Sequence, residues 1–262
     1  MATAYERVRI ARGAKRPTGI DYLQNVFHGF FELHGDRRYA DDPAIVGGLA
    51  YLGATPVTVI AIEKGHTAKE RVQRGFGAPQ PEGYRKALRL MREAEKFHRP
   101  VVCFVDTSGA GCNVGAEERG QGEAIAECLT TMSALQTPVL SILIGEGGSG
   151  GALALAAGDR VWMLENAVYS VISPEGCATI LWKDAAKAEQ AAEELKLTAD
   201  DALALGVVES VIPEAGLGEP ESYDALSQRL MREVDALSAM PVNQLLAARY
   251  ARFRRFGGEA QA

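Results

Sequence analysis

A glycine-rich segment in the middle of the chain, residues 139–157, constrains the fold more than any other part of the sequence. An apolar run from Val139 to Ile144 is followed by five glycines within the seven residues 145–151, and then directly by an Ala/Leu-rich helical pattern. Glycines between a strand and a helix let backbone N–H groups approach a ligand closely, and the helix N-terminus adds partial positive charge. The segment therefore predicts a cradle for an anion or an oxyanion.

Three templates fit these glycines, and each implies a different ligand. The spacing G-x-G-x-x-G at 145–150 matches the dinucleotide fingerprint, with Glu165 about 20 residues further on, where a ribose-binding acid belongs. The spacing G-x-S-x-G at 147–151 matches the nucleophile elbow of hydrolases. In the third template no side chain acts, and backbone amides alone form an oxyanion hole.

The rest of the sequence argues against the first two templates. A nucleophile elbow needs an acid and then a histidine later in the chain, whereas all four histidines precede Ser149: His28, His34, His66 and His98. A dinucleotide fold needs a crossover helix of several turns, but Gly158-Asp159 interrupts the helical pattern after about two turns. The backbone oxyanion hole is favoured, and a purely structural role in tight strand–helix packing stays open.

Composition narrows the class of protein. The 262 residues are 47% apolar and 24% charged, which is typical of a soluble globular chain, and the net charge of −6 argues against nucleic acid or anionic membrane as the main partner. The sequence shows neither a transmembrane run nor a signal-peptide core, so we expect a cytoplasmic protein. Four scattered cysteines form no C-x-x-C pair, so we expect no metal site and no disulfides.

Residues 1–20 are basic, and we predict an irregular, solvated arm there, with partner binding as the alternative. One domain follows over 21–262, with C-terminal helices at about 222–254 and a frayed tail. An amphipathic helix is predicted from Asp21 to about His34.

Two β-type runs, Ala44–Leu52 and Val57–Glu63, surround a turn and predict a hairpin. The basic loop that follows, residues 64–79, suits a phosphate-bearing ligand, and a simple solvated loop is the alternative. An amphipathic helix is then expected from Pro81.

Another glycine-rich loop lies earlier in the chain than residues 145–151. The strand Val101–Val105 runs into glycines at 109–115, and a helix is predicted over 116–135. Strand, glycine loop and helix thus occur twice in succession. Because parallel strands end at the same edge of a sheet, we expect the first glycine loop (109–115) and the second glycine loop (145–151) to converge on one oxygen.

The last third of the chain is predicted to alternate short strands with helices. Ser173-Pro-Glu-Gly176 is typical of a helix start. The further segments are strands at 160–164, 168–172 and 207–212, and helices at 185–195, 198–205, 222–239 and 242–254.

Long motifs in this sequence resemble those of the α subunit of the bacterial acetyl-coenzyme A carboxylase carboxyltransferase, a family of the crotonase-like superfamily. The motifs are Lys64-Gly65, Arg74-x-Phe-Gly-x-Pro79, Pro81-Glu-Gly-Tyr-Arg-Lys-Ala87, Asp106-Thr-Ser-Gly-Ala110, Gly115-Ala-Glu-Glu-Arg-Gly-Gln121, Ile144-Gly-Glu-Gly-Gly-Ser-Gly-Gly-Ala-Leu153, Tyr169-Ser-Val-Ile-Ser-Pro-Glu-Gly-Cys177 and Ile180-Leu-Trp-Lys183. They extend over roughly residues 5–255.

The resemblance implies an α/β crotonase fold of repeated ββα superhelical turns. It also implies an α2β2 assembly with each active site at an α/β interface, and a β chain that binds most of coenzyme A. This chain would supply the cradle for carboxybiotin, which is carried on a separate biotin carboxyl carrier protein. The implied reaction converts acetyl-CoA to malonyl-CoA, the first committed step of fatty acid synthesis.

The two glycine loops and this resemblance together suggest the site residues. We expect Gly109, Gly150 and Gly151 to offer N–H groups to the biotin ureido oxygen. The pocket would be shaped by Ala110, Gly147, Gly148, Ala152 and Gly176, and possible contacts to coenzyme A or the carrier are Lys64, Arg71 and Arg74. Relatives often carry a proline and an aromatic residue where this chain has 106–112, a departure that alters pocket walls and leaves backbone donors in place.

Two other function classes stay open. A stand-alone crotonase-like hydratase or isomerase would need a glutamate near the thioester, and Glu118 or Glu146 would have to serve. A non-catalytic scaffold or nucleotide-binding module is the third class. Dependence on a second chain separates the carboxyltransferase from the hydratase.

Overall fold

A computed structural model describes residues 2–257 of the chain and shows an α/β architecture. The strands are β1 (His28–Glu32), β2 (Ile45–Leu52), β3 (Thr55–Ile62), β4 (Val101–Thr107), β5 (Val139–Gly148), β6 (Arg160–Leu164), β7 (Val168–Ser170) and β8 (Ser210–Ile212). The helices are α1 (Ala4–Ala11), α2 (Gly19–Val26), α3 (Ala68–Gln73), α4 (Pro81–Lys96), α5 (Val114–Glu118), α6 (Gln121–Ala134), α7 (Ser149–Leu153), α8 (Pro174–Trp182), α9 (Ala188–Glu194), α10 (Ala199–Ala204), α11 (Pro220–Ser238) and α12 (Val242–Arg254).

The strands form one sheet in the order β1-β2-β3-β4-β5-β6-β8, with β7 paired to the far end of β5. The predicted hairpin is confirmed as β2 and β3, which are antiparallel, with Leu52 opposite Thr55. From β3 onward the pairs are parallel. The two glycine loops therefore leave β4 and β5 at the same edge of the sheet, as the sequence predicts.

Helices cover the sheet with apolar side chains. Tyr22 of α2 stacks on Phe104 of β4 with ring centroids 5.1 Å apart, and α4, which starts at Pro81 as predicted, packs against α6, β2 and β3. Gly47 of β2 allows α4 to pack closely, because a Cβ there would lie 2.7 Å from the Cδ1 of Leu90 and 3.0 Å from the carbonyl oxygen of Val59. The central strands β4 and β5 are buried along nearly all their length and hold the glycine loops rigidly.

The N-terminal residues are ordered and packed, so the prediction of an irregular, solvated arm is wrong. Thr3 and Glu6 form a capping box that starts α1. Arg7 and Arg16 are buried, where Arg7 pairs with Asp200 at 3.0 Å and Arg16 donates to Glu214. These two arginines are buried because each pairs with an acidic residue, 193 and 198 positions away in the chain, whereas Arg9, Arg12 and Lys15 are exposed.

The predicted helix from Asp21 to His34 is also wrong in its second half. Thr18 and Asp21 form a capping box that starts α2 two residues early, and the helix ends at Val26. His28–Glu32 is the edge strand β1 instead, paired to β2. Backbone pairing to a neighbouring strand outweighs the helical spacing of the apolar residues here.

Two further segments differ from prediction. The predicted loop 64–79 contains the helix α3, which Thr67 caps. The predicted helix 116–135 is divided into α5 and α6, because Gly120 takes a left-handed conformation with φ of 80° between them. The frayed tail expected at the C-terminus falls partly on residues 258–262, which lie outside the described residues.

Candidate active site

The two glycine loops meet in direct backbone contact beyond the ends of β4 and β5. Thr107 pairs with Gly147 in the sheet, which sets the bases of the loops side by side. A Cβ on Gly148 would lie 2.3 Å from the carbonyl carbon of Ser108, and a Cβ on Gly151 would lie 2.5 Å from the amide nitrogen of Ala110. Only glycine at these two positions allows the loops to approach so closely.

The second glycine loop turns sharply from strand into helix. Ser149 has a φ of 50°, an uncommon conformation for a residue with a side chain. The amides of Gly150 and Gly151 then lie in the first turn of α7, where no intrahelical acceptor exists. Among the described residues neither amide has a hydrogen-bond acceptor. These N–H groups remain available to an oxygen of a ligand.

In the first glycine loop, the amide of Gly109 is already engaged. It donates to the hydroxyl of Thr107 at 3.0 Å, and the same hydroxyl donates to the carbonyl oxygen of Gly109 at 2.8 Å. Glycine is needed here because φ is 145°. The amide of Ala110, the next residue, has no acceptor among residues 2–257 and lies beside Gly151.

The other predicted pocket residues have distinct surroundings. Gly147 lies within the sheet between Thr107 and Tyr169, and a Cβ there would lie 2.8 Å from the Tyr169 ring. Ala152 is fully buried beneath the loops. The amide of Gly176 donates to Ser173 at 3.1 Å and thereby caps α8, so it is not available to a ligand.

Two side chains that the sequence did not single out hold the glycine loops. The Tyr84 hydroxyl donates to the carbonyl oxygen of Gly151 at 3.1 Å, and burial raises the pKa of Tyr84 well above its ordinary value, so the phenol stays protonated. Gln121 Nε2 donates to the carbonyl oxygens of Pro79 and Gly111, each at 2.8 Å. Tyr84 belongs to the motif 81–87 that carries the resemblance, but its position on the buried face of α4 gives no sign of this hydrogen bond.

An ionic bracket of Lys64, Asp106, Glu146 and Arg12 joins the ends of β3, β4 and β5. Lys64 Nζ lies 2.6 Å from Asp106 and 3.3 Å from Glu146, and Arg12 Nε lies 2.8 Å from Glu146. The amide of Glu146 also donates to Asp106 at 2.7 Å. Burial alone lowers the pKa of Lys64, but the two carboxylates outweigh it and raise that pKa. Lys64 is therefore a charged cross-link between the bases of the loops.

The predicted basic contacts separate into two places. Lys64 and Arg71 line one cavity of about 210 Å³ beside the ionic bracket, together with Arg12 and Phe76. Arg74 points away from it and donates to the carbonyl oxygen of Pro43 at 2.7 Å.

An apolar cavity of about 390 Å³ opens on the other side of the second glycine loop. Gly150 forms part of its wall, and the remaining lining residues are Ser149, Leu153, Tyr169, Ser170, Val171 and Val207. An apolar cavity of this size with free amides at its edge is typical of a small-ligand site.

The positions of Glu146 and Glu118 bear on the hydratase or isomerase alternative. Glu146 is held by Arg12 and Lys64 and is therefore not a free base, whereas Glu118 is exposed at the end of α5. Within the described part of the chain no three His, Cys, Asp or Glu side chains cluster to hold a metal. No helix between residues 2 and 257 is long and apolar enough to cross a bilayer.

Solved structures share the fold of this chain. The chain superposes on a subunit of a Pseudomonas malonate decarboxylase hetero-tetramer solved with coenzyme A, with a TM-score of 0.72 over 91% of this chain and 98% of that chain, at 17% identity. It also superposes on the transcarboxylase 12S core with a TM-score of 0.68 over 86% of this chain and 44% of that chain, at 20% identity. The fold is thus that of the crotonase-like carboxyltransferases, and the predicted fold class is confirmed.

Sequence comparison gives the family. The model of the family described as acetyl co-enzyme A carboxylase carboxyltransferase-like matches residues 1–257, and the chain belongs to this family. It is 58% identical to the acetyl-coenzyme A carboxylase carboxyl transferase subunit alpha of Ruminiclostridium cellulolyticum, over 97% of this chain and 98% of the relative. Carboxyl transfer to acetyl-CoA is the function of the family, so the prediction of a carboxyltransferase subunit is confirmed.

A relative with fused subunits indicates the partner of this chain. The carboxyl transferase subunits beta/alpha of Natranaerobius thermophilus are 54% identical to this chain over 97% of its length, and the chain spans 43% of that relative. A beta and an alpha unit are joined there in one polypeptide, which implies a beta subunit as the partner of this chain.

Proposed function

We propose that this chain, assembled with a β subunit, moves the carboxyl group of carboxybiotin to acetyl-CoA and so produces malonyl-CoA. The backbone contact between the two glycine loops carries this proposal. It brings Gly151 against Ala110, and the amides of Gly150, Gly151 and Ala110 have no acceptor among the described residues, which supports their assignment as donors.

The residues present fit a biotin ring at this cradle. The loops touch at Gly148 and Gly151 and leave no room between them, so a flat group would lie outside this contact, in the apolar cavity that Gly150 lines. When bound, carboxybiotin supplies the carboxyl group and a ureido oxygen that gains negative charge as transfer proceeds. The apolar cavity beside Gly150 would receive the ring, with Leu153 and Val171 as walls.

Backbone donors would then do most of the catalytic work. N–H groups fixed on the rigid ends of β4 and β5 need no reorganisation when the ureido oxygen becomes negative, and one such donor is worth about 3 kcal/mol of transition-state stabilisation. Gly150, Gly151 and Ala110 are the donors we assign. Since the Gly109 amide is held by Thr107, Gly109 serves to shape the loop, whereas the sequence alone suggested it as a donor.

No side-chain base of this chain is needed for proton removal. Asp106 and Glu146, at the bases of the loops, are paired with cations and are not free to act as a base, so bound biotin would have to supply the acceptor for the proton of the acetyl methyl. Within residues 2–257, no histidine lines the cavities next to the loops.

An exposed apolar surface next to the cradle supports an α2β2 assembly, to which a biotin carboxyl carrier protein would bring carboxybiotin. Next to the cradle Val171 is 77% exposed, and Ile180 and Leu181 of α8 are 70% and 60% exposed. Exposed apolar side chains of this kind mark a protein contact, and we assign this surface to the β subunit. Lys64 and Arg71 would face coenzyme A or the carrier through the 210 Å³ cavity.

The test is malonyl-CoA-dependent carboxylation of free biotin or biocytin, with this chain alone and again with its β partner. Activity only in the mixture supports the proposal. A correctly assembled complex that carboxylates neither acceptor contradicts it, and acyl-CoA hydration by this chain alone would favour the hydratase alternative.

A further inference from the structure

A cluster of arginines lies outside the site described so far. Five guanidinium groups surround a cavity of about 340 Å³ between the segment after β1 and the exposed side of α4, and they belong to Arg37, Arg38, Arg85, Arg89 and Arg92. This arginine pocket shares no lining residue with the cavities next to the glycine loops.

The positive charge of the arginine pocket is only partly balanced. Arg38 pairs with Glu127 at 3.2 Å, whereas the carboxylates nearest Arg85 and Arg89 stand at 3.7 Å, beyond hydrogen-bond distance. Arg92 is exposed and makes no ion pair or hydrogen bond with the described residues. Burial and the positive charge of Arg37 both lower the pKa of Arg89, as expected where cations crowd together.

The guanidinium groups are held so that they converge. Arg37 Nη1 and Arg89 Nη2 donate to the same carbonyl oxygen, that of His34, at 2.7 and 3.3 Å. Arg89 Nε also donates to the carbonyl oxygen of Gly35 at 3.1 Å, and Arg85 is fixed by the carbonyl oxygen of Arg119. The shared carbonyl therefore holds these two cations side by side in the wall of the arginine pocket.

The single carboxylate of the pocket is a buried one with a free oxygen. Asp36 Oδ1 accepts the amides of Arg38, Tyr39 and Ala40 at 2.7–3.1 Å, which shapes the loop that carries Arg37. Its Oδ2 has no hydrogen-bond partner among the described residues, although its side chain is only 1% exposed. A buried acceptor among cations suits a ligand that carries a hydroxyl group as well as negative charge.

We propose that the arginine pocket binds the pyrophosphate group of a nucleotide or nucleotide-containing coenzyme. Guanidinium groups match phosphate oxygens in pairs, and clustered arginines of this kind are the usual means of binding multiply charged phosphates. The cavity volume admits a pyrophosphate with an attached sugar, whose hydroxyl would reach Asp36. This proposal does not rest on carboxyl transfer, because binding is measured without turnover.

The experiment is calorimetric titration of the full chain with inorganic pyrophosphate at physiological salt. We expect one saturable site with a Kd below about 1 mM. Arg37→Gln and Arg92→Gln should each weaken binding about tenfold, since each removes a charged donor to phosphate. Arg232→Gln is the matched control, because Arg232 is exposed on α11 and lies outside the pocket; it should change the Kd less than twofold.

Titrations with ADP and with coenzyme A identify which kind of molecule carries the bound pyrophosphate group. Tighter binding of ADP than of pyrophosphate indicates a nucleotide, and tighter binding of coenzyme A than of ADP indicates the coenzyme. Absence of saturable pyrophosphate binding overturns the proposal, as does equal weakening by Arg232→Gln, which would show general charge attraction. Circular dichroism confirms folding of each variant, and Arg92→Gln keeps the test valid if Arg37→Gln disturbs its loop.

Discussion

The phenol of Tyr84 in α4 donates a hydrogen bond of 3.1 Å to the carbonyl oxygen of Gly151 in the second glycine loop. Both groups are buried, and the same hydroxyl would lie 2.9 Å from a Cβ on Gly151. The bond fixes the peptide plane that follows Gly151. Helix α4 therefore sets the orientation of the second glycine loop from outside the sheet.

Replacement of Tyr84 by phenylalanine tests this relationship. Removal of one buried hydrogen bond leaves the Gly151 carbonyl unpaired, which costs about 1–3 kcal/mol. We expect biocytin carboxylation by the assembled complex to fall about tenfold in kcat with KM little changed. Tyr22→Phe is the control, because the Tyr22 hydroxyl is buried without a partner among the described residues; equal losses for both variants would contradict the role of Tyr84.

Alanine substitutions in the second glycine loop test whether its glycines are needed for close contact with the first glycine loop or only for backbone flexibility. Gly151→Ala places a methyl 2.5 Å from the Ala110 nitrogen, whereas Gly150→Ala meets nothing nearer than 3.8 Å. We expect Gly151→Ala to lower carboxylation at least a hundredfold and Gly151→Val to abolish it, since the loops must part. Gly150→Ala should keep most activity, because its amide survives.

The control for this series is Gly122→Ala. Gly122 lies inside α6 with nothing within 4 Å of a Cβ, so alanine there should stabilise the chain by about 0.5–1 kcal/mol and leave activity unchanged. Wild-type carboxylation by a folded, assembled Gly151→Val complex would show that close contact of the loops is not required.

The convergence of the glycine loops could be predicted because it depends on local pattern alone. Two strands rich in β-branched residues each end in glycines and continue into a helix, and parallel pairing then brings both loops to one edge. The hairpin of β2 and β3 and the start of α4 at Pro81 are confirmed for the same reason: turn residues and helix caps act over a few positions.

The parts that failed depend on partners distant in sequence. From the local sequence, Arg7 and Arg16 are expected to be solvated. In the fold they pair with Asp200 and Glu214, and no local pattern predicts these pairs. The strand character of His28–Glu32 arises from the neighbouring edge of β2. The ionic bracket was missed likewise, because Lys64, Asp106 and Glu146 come from three separate strand ends.

Lys64→Met should distinguish a cross-link from a ligand contact. If Lys64 mainly joins the strand ends, its loss leaves Asp106 and Glu146 undercompensated, and the chain should lose about 3 kcal/mol of unfolding free energy together with kcat. Arg71→Met is the comparison, since Arg71 lines the same cavity and its one side-chain hydrogen bond within residues 2–257 is to the Gly65 carbonyl. A rise in KM for malonyl-CoA alone, equal in both variants, would instead assign Lys64 to coenzyme binding.

Acid stability should depend on Asp41. Burial alone raises the pKa of Asp41, but hydrogen bonds from Lys86 and the Gly35 amide outweigh it and lower that pKa to about 2. A lowered carboxyl pKa contributes stability above the unfolded value, near pH 4, and loses it as pH falls through about 2. Urea unfolding should thus show Asp41→Asn less stable than wild type at pH 6, with the difference shrinking between about pH 4 and pH 2. A constant difference over that range would contradict the assignment.

Helix α12 is anchored by one buried arginine. Arg249 donates to both oxygens of Asp159 at 2.7–2.8 Å and to the carbonyl oxygens of Met132, Leu135 and Thr137 at 2.7–3.0 Å. Its side chain is 1% exposed and that of Asp159 is 2% exposed, so removal of the cation leaves a buried charge without its partner.

We therefore expect Arg249→Met to lower the urea unfolding free energy by about 3–5 kcal/mol. Arg249→Lys should recover little, because an ammonium group cannot reach five acceptors in a fork arrangement. The double variant Arg249→Met, Asp159→Asn should be more stable than Arg249→Met alone, since it removes the uncompensated carboxylate. Arg254→Met, which alters an exposed residue of the same helix, is the control; an equal, small loss in Arg249→Met would show that the buried pair does not stabilise this end of the fold.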